Sequence, residues 1–311
     1  MQQNLSGLSK KRPMKSRLFL AMAILLSAPA AWPDTAGHPV TMWRAAGQTN
    51  SVYLLGSIHL LRPGDYPLPA AIDAAYEDAE VLVMELDMDD LDGVQAQQLF
   101  AQSGVLQGGK TLRDLMGEPA YQQASAAADA IDIPIEMLAQ SEPWLAAVTV
   151  EMMMFYRIGF NPMLGIEMHL VSQAGRDGKP IEGLETAAEQ TAFLDGLSLD
   201  TQRDMLLQTL EEGAGLEESI DEIIHAWRYG DIAALESGLL QDLAKNEELS
   251  EALVNGRNRR WVAQISELLD DSDDYLVVVG ALHLIGDQGV PELLAKAGVK
   301  IVQLSEPPSV Q

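Results

Sequence analysis

The 311-residue chain is 47% hydrophobic and 21% charged, a balance that buries a real core and excludes extended disorder. Its 46 acidic and 20 basic residues give a formal net charge of −26, and so anionic a surface repels polyphosphate and acidic headgroups, which excludes nucleic acid and the membrane surface as partners. There is no cysteine, so disulfides, thiol nucleophiles and thiolate metal ligands are excluded too.

Residues 1–30 carry Lys10, Lys11, Arg12, Lys15 and Arg17 and no acid, with an apolar run from Leu18 to Leu26 and small residues at Ser27, Ala28, Ala30 and Ala31. A basic start, a short apolar stretch and a small-residue cleavage site predict a secretory signal peptide over residues 1–31, read from Met1 or from Met14. The apolar run is shorter than the roughly 20 residues that span a bilayer. Residues 32–311 are therefore expected as a single periplasmic or secreted domain with no stable membrane anchor.

Thr41–Arg44 and Ser51–Leu55 flank the turn Gly47-Gln48-Thr49-Asn50 and predict a hairpin. A Pro-rich loop from Arg62 to Pro69 follows, then a helix to about Glu80 and a buried strand over Val81–Leu86. Strand, helix and strand in this span predict a βαβ unit with parallel pairing. Residues 90–175 and 186–270 are helical in pattern, with apolar residues three and four apart at Leu235, Leu239, Leu240 and Leu243. The tract Glu151–Tyr156 reads as helix packing rich in methionine. Between the helical blocks, Lys179–Glu185 is a brief strand ending in acids. Tyr275–Val279 is another buried strand, and a helix over Val290–Ala297 and a strand over Lys300–Leu304 close the chain. The predicted fold is α/β, a mostly parallel sheet from strands at both ends of the chain with a large helical insertion between them.

Two phrases echo each other. Tyr53-Leu54-Leu55-Gly56-Ser57-Ile58-His59-Leu60 matches Val277-Val278-Val279-Gly280-Ala281-Leu282-His283-Leu284 in character, and in both a buried strand ends in Gly-x-x-His. Ligands of α/β sheets bind outside the carboxyl ends of the strands. Four predicted strands end there with His59, Glu85, Glu182 or Glu185, and His283. Imidazoles and carboxylates suit Mn, Fe, Co or Zn ions, which make water nucleophilic. Glu182 and Glu185 have a second reading as caps of the next helix. His169 and His225 are assigned to structure. Arg257 and Asn258, beside the solvated Arg259 and Arg260, are candidates to reach the site and stabilise an oxyanion.

The phrases Val52–His59, Tyr66-Pro67-Leu68-Pro69, Gly183-Leu184-Glu185-Thr186, Arg257-Asn258 and Gly280–Leu284 resemble the TraB/GumN family. That family is similar to the Tiki metalloproteases and, more remotely, to erythromycin-esterase-like and ChaN-like haem-binding proteins. The resemblance implies a site at the paired Gly-x-x-His motifs, with His59, His283, Glu85 and Glu185 as metal ligands and Mn, Co or Zn as the ion. The expected function is a metal-dependent, peptidase-like hydrolase acting on a peptide or small molecule. The alternative is a non-catalytic protein that binds a peptide or haem in the same cleft.

Overall fold

The apolar segment Tyr275–Gly280 is buried along its whole length, and the sheet is built around it. The computed structural model describes residues 37–88, 98–100 and 102–306, so the predicted signal peptide lies outside the described residues. The strands are β1 (Pro39–Ala46), β2 (Ser51–Ser57), β3 (Val81–Leu86), β4 (Ile181–Glu185), β5 (Tyr275–Gly280) and β6 (Ile301–Ser305). They form one sheet in the order β4-β3-β5-β2-β1-β6. β4, β3, β5 and β2 run parallel, and β1 joins β2 and β6 in antiparallel pairs. The hairpin of β1 and β2 and the mostly parallel sheet match the sequence reading.

One expectation needs correction. β2, the Ala70–Asp78 helix and β3 do form a crossover, but β2 and β3 do not pair with each other. Both pair with β5, which lies between them. A strand as uniformly apolar as Leu276-Val277-Val278-Val279 is buried on both faces and needs a ladder on both edges, so it takes the centre. The consequence is that β2 and β5 run side by side, with Gly56 opposite Val279 and Ser57 opposite Gly280. The two Gly-x-x-His motifs are neighbours, offset by one residue.

The helical residues divide between two cores. One surrounds the sheet, with Trp227 and Trp261 packed against it. Trp227 is tied down further: its Nε1–H donates to the Gly56 carbonyl at 2.7 Å, and the Thr41 hydroxyl donates to its own carbonyl at 2.7 Å. The second core, including Leu112, Tyr121, Val150, Leu206 and Leu210, belongs to the insertion. The methionine tract lies in the Pro143–Arg157 helix, where Met153 and Met154 pack on this second core and Phe155 leans on the first. The row of leucines from Leu235 departs from regular helix, because Glu236–Leu240 has π-helical register, as does Glu251–Asn255. Among the described residues, no helix is long and apolar enough to cross a membrane.

Candidate active site

Four parallel strands deliver the site residues to one edge of the sheet. Glu85 is the fifth residue of β3 and Glu185 the last of β4. His59 follows the end of β2, and a 3-10 turn over Ala281–Leu284 carries His283 beyond β5. The helix Gly256–Leu268 lies across this edge and contributes Arg257 and Asn258 from its first turn, both buried. The π-helical segment Glu251–Asn255 leads directly into that turn, and the Leu253 carbonyl accepts from Arg257 Nη1 at 3.1 Å.

Arg257 is the hub. Its Nη2 donates to Glu85 Oε2 at 2.5 Å and to Glu185 Oε1, and its Nε donates to Glu185 Oε2 at 3.2 Å. Gln190 Nε2 bridges the same two acids, 3.1 Å from Glu85 Oε2 and 3.0 Å from Glu185 Oε1. The guanidinium packs over the rings of Trp261 and Phe193. Nη1 also donates to His283 Nε2 at 3.1 Å, so that nitrogen carries the lone pair. The His283 proton is then on Nδ1, which donates to Asn258 Oδ1 at 2.6 Å. The Asn258 amide donates in turn to the His283 and Gln288 carbonyls at 3.2 and 2.8 Å.

His59 is held in the same manner from a different direction. Its Nδ1 donates to Glu167 Oε1 at 2.8 Å, and the Ser57 hydroxyl donates to the same oxygen. The two histidines are thus fixed through Nδ1, each by an outer oxygen, and their other edges border Gly280. A methyl group at Gly280 would lie 3.2 Å from His59 Nε2, 3.5 Å from Glu85 Oε1 and 3.7 Å from His283 Cδ2. Glycine leaves that space open. The cleft has a volume of ≈ 320 Å³, with His59, Glu85, Gln190 and Arg257 among apolar walls that include Phe100, Phe193 and Leu253.

The charges follow from this geometry. The Glu167 carboxylate is the main reason that the His59 imidazole is raised to about 9, against an opposing effect of burial. Burial drives His283 the other way, down to about 3, so it is neutral at neutral pH. Burial alone would raise Glu85, but the neighbouring His283 ring, the charges of Arg257 and His59, and the Gly280 N–H bring it down to about 2. Glu167 is raised by burial and lowered more by His59 and Ser57, ending below the usual range.

His59, Glu85, Glu185, Arg257, Asn258 and His283, all predicted from sequence, meet in this network. Glu182 does not: it is exposed on the edge strand and faces away from Glu185. Neither acid caps the next helix, because Thr186 does so in a reciprocal box with Glu189. Arg259 and Arg260 are exposed, as a solvated face requires. Glu167, Gln190 and Ser57 are site residues that the sequence reading did not assign. A signal for Glu167 was present in Gly165, where a side chain would run into the His59 carbonyl at 2.1 Å. His169 packs its ring near Tyr66 and His225 near Tyr229, away from the network.

Among the described residues, no three His, Asp or Glu side chains stand together as a formed metal cage. Arg257 is the reason, since it engages both Glu185 oxygens, Glu85 Oε2 and His283 Nε2. Imidazole and carboxylate donors, types that divalent ions take, nonetheless border the open space at Gly280. His59 Nε2 and Glu85 Oε1 border it directly, while His283 presents its Cδ2 and keeps Nε2 on Arg257. Both rings already have the Nδ1–H anchor that metal-ligating histidines take.

The sequence profile of the TraB/PrgY/gumN family matches residues 41–303. Two curated relatives align over 289 residues, each at 23% identity and covering 88% of this chain and 100% of its own length. They are the "Uncharacterized protein YbaP" of Escherichia coli strain K12 and that of Shigella flexneri. No solved structure matches the chain.

Proposed function

The chain belongs to the TraB/PrgY/gumN family, and we propose that it is an exported, metal-dependent hydrolase whose substrates are peptides. One observation carries the reading: two histidines from matched strand ends are each fixed through Nδ1 and border one open space with Glu85. His59, His283 and Glu85 would hold a divalent ion, Mn, Co or Zn by ligand type. Held there, the ion supplies Lewis acidity toward a carbonyl and toward water.

The remaining tasks fall to the chain. Glu167 orients the His59 ring, and His59 gives up its proton to become a ligand. Asn258 fixes the His283 tautomer. Glu85 and Glu185, bridged by Gln190, hold Arg257 at the cleft wall, where its guanidinium is placed to stabilise negative charge that develops on a carbonyl oxygen. The hydrophobic walls exclude water and strengthen these interactions. Export is supported by the acid-free residues 1–30, in which the basic residues from Lys10 to Arg17 precede the apolar run Leu18–Leu26, and N-terminal sequencing of the mature protein tests it.

A second reading is favoured by the Arg257 bonds within the site. Hydrolysis without a metal would use the His59–Glu167 pair as general base as pH climbs through about 9, where Nε2, which faces the cleft, gives up its proton. Both readings are tested by peptide-library cleavage and metal content for wild type, His59→Ala and His283→Ala, with Mn, Co or Zn and with chelator. The first requires cleavage and metal to vanish together on chelation and in both variants. Cleavage that survives chelation but not His59→Ala selects the second. No cleavage and no metal in any sample leaves a non-catalytic binding protein.

A further inference from the structure

A second and larger concavity, ≈ 480 Å³, lies in the helical insertion. It runs between the Pro143–Arg157 helix and the segments from Leu199 to Leu249, with half-buried apolar walls that include Phe155, Ile223, Leu239 and Leu243. Its polar lining includes two carboxylates, Glu151 and Glu212, and no Lys or Arg lines it among the described residues. Glu212 is engaged by Gln208, whose Nε2 donates to it at 2.8 Å. Glu151 has no hydrogen-bond or ion-pair partner among the described residues. Glu151 and Glu212 are both exposed, so the groove presents its carboxylates at the solvent face.

We propose that this groove binds an apolar peptide segment bearing a Lys or Arg side chain, with the cationic group meeting Glu151. Apolar walls take the flanking side chains by burial, and the unpaired carboxylate selects the cation by charge and hydrogen bonding. The net charge of −26 acts in the same direction at longer range. The assignment goes beyond the hydrolase reading and stands on the groove alone.

The test reads binding, not turnover. A fluorescein-labelled nonapeptide of Leu and Ala with a central Lys, and its central-Gln counterpart, are titrated into wild type, Glu151→Gln and Glu212→Gln by anisotropy. Thermal melts verify that the variants fold. Wild type is expected to prefer the Lys peptide by about tenfold, the scale of a single well-placed charge contact. Glu151→Gln should reduce the preference to within about threefold, and Glu212→Gln should leave most of it. Equal affinity for the two peptides, or equal loss in both variants, overturns the proposal. Self-association by sedimentation without peptide binding assigns the groove to a second copy and overturns it as well. Glu151-dependent binding without cleavage removes the hydrolase reading and keeps the groove. Cleavage with no Lys preference does the reverse.

Discussion

Arg257 Nη2 meets Glu85 Oε2 at 2.5 Å across 172 residues of sequence. Glu185 completes a buried cluster in which one guanidinium serves two carboxylates, with side-chain exposures of 9% for Arg257, 14% for Glu85 and 3% for Glu185. Removing one partner of such a cluster leaves charge without compensation in a region with little water. Arg257→Met should therefore destabilise the chain by about 3–5 kcal/mol, read from urea denaturation. Adding Glu85→Gln and Glu185→Gln to Arg257→Met should recover part of the loss, because the remaining groups are then neutral. A triple variant no more stable than Arg257→Met would show that the guanidinium acts by packing on Trp261 and Phe193.

Asn258 is fully buried and makes three bonds, one to His283 Nδ1 and two to carbonyls. Asn258→Ala leaves those three groups without their partner and should cost about 2–3 kcal/mol in the same measurement. If His283 is a ligand, its metal affinity should also fall by about 10–100-fold, because the ring loses the group that fixes its tautomer. Calorimetric titration with Zn reads the second effect separately from the first. Unchanged affinity would remove His283 from the ligand set.

The His59 and Glu167 pair gives a prediction in pH. His59 is raised from an ordinary 6.5 to about 9, chiefly by Glu167. A raised histidine contributes stability that is full below pH 6.5 and is lost as pH climbs through about 9. In Glu167→Gln that chief cause is gone, so the His59 value should fall below about 9. NMR titration of the His59 ring proton measures the shift directly. The loss of stability between pH 6.5 and 9 should flatten in the same variant. A His59 titration unmoved by Glu167→Gln would show that the carboxylate is not what holds the proton.

The strands and the echo at their ends were legible because burial imposes its pattern locally. A run such as Leu276–Val279 can only be an interior strand, and Gly-x-x-His repeats in plain view. The placement of β5 between β2 and β3 was not legible, since pairing across most of the chain leaves no local mark. Glu167 was passed over for a related reason. It lies two residues from His169 on one helix, and its role depends on that helix meeting the end of β2, where Ile166 N–H donates to the Ile58 carbonyl at 3.2 Å. The hub role of Arg257 was hidden by composition. It stands in a run with Arg259 and Arg260, yet of the three only Arg257 is buried among the acids that distant strands supply, while Arg260 approaches Glu185 Oε2 at 3.9 Å from an exposed position.

Gly280 gives a prediction that separates the site from the fold. Its backbone, at φ −50 and ψ 138, is open to any residue, and its N–H to Glu85 Oε1 at 2.8 Å would survive substitution. What alanine adds is one methyl group in the space bordered by His59 Nε2, Glu85 Oε1 and His283 Cδ2, at 3.2, 3.5 and 3.7 Å. Only the contact with His59 is tight, and that side chain is 58% exposed and can give way. Overpacking of this degree should cost about 1 kcal/mol, the low end of the usual range. The effect on metal should be far larger, because the methyl group occupies the space that the ion would share with these donors. Gly280→Ala should therefore melt close to wild type while Mn or Zn affinity falls by about tenfold or more, on the scale of a lost ligand contact. Calorimetric titration of both proteins at equal metal concentration decides the matter: equal affinity would move the ion away from Gly280 and remove the shared site of the two histidines.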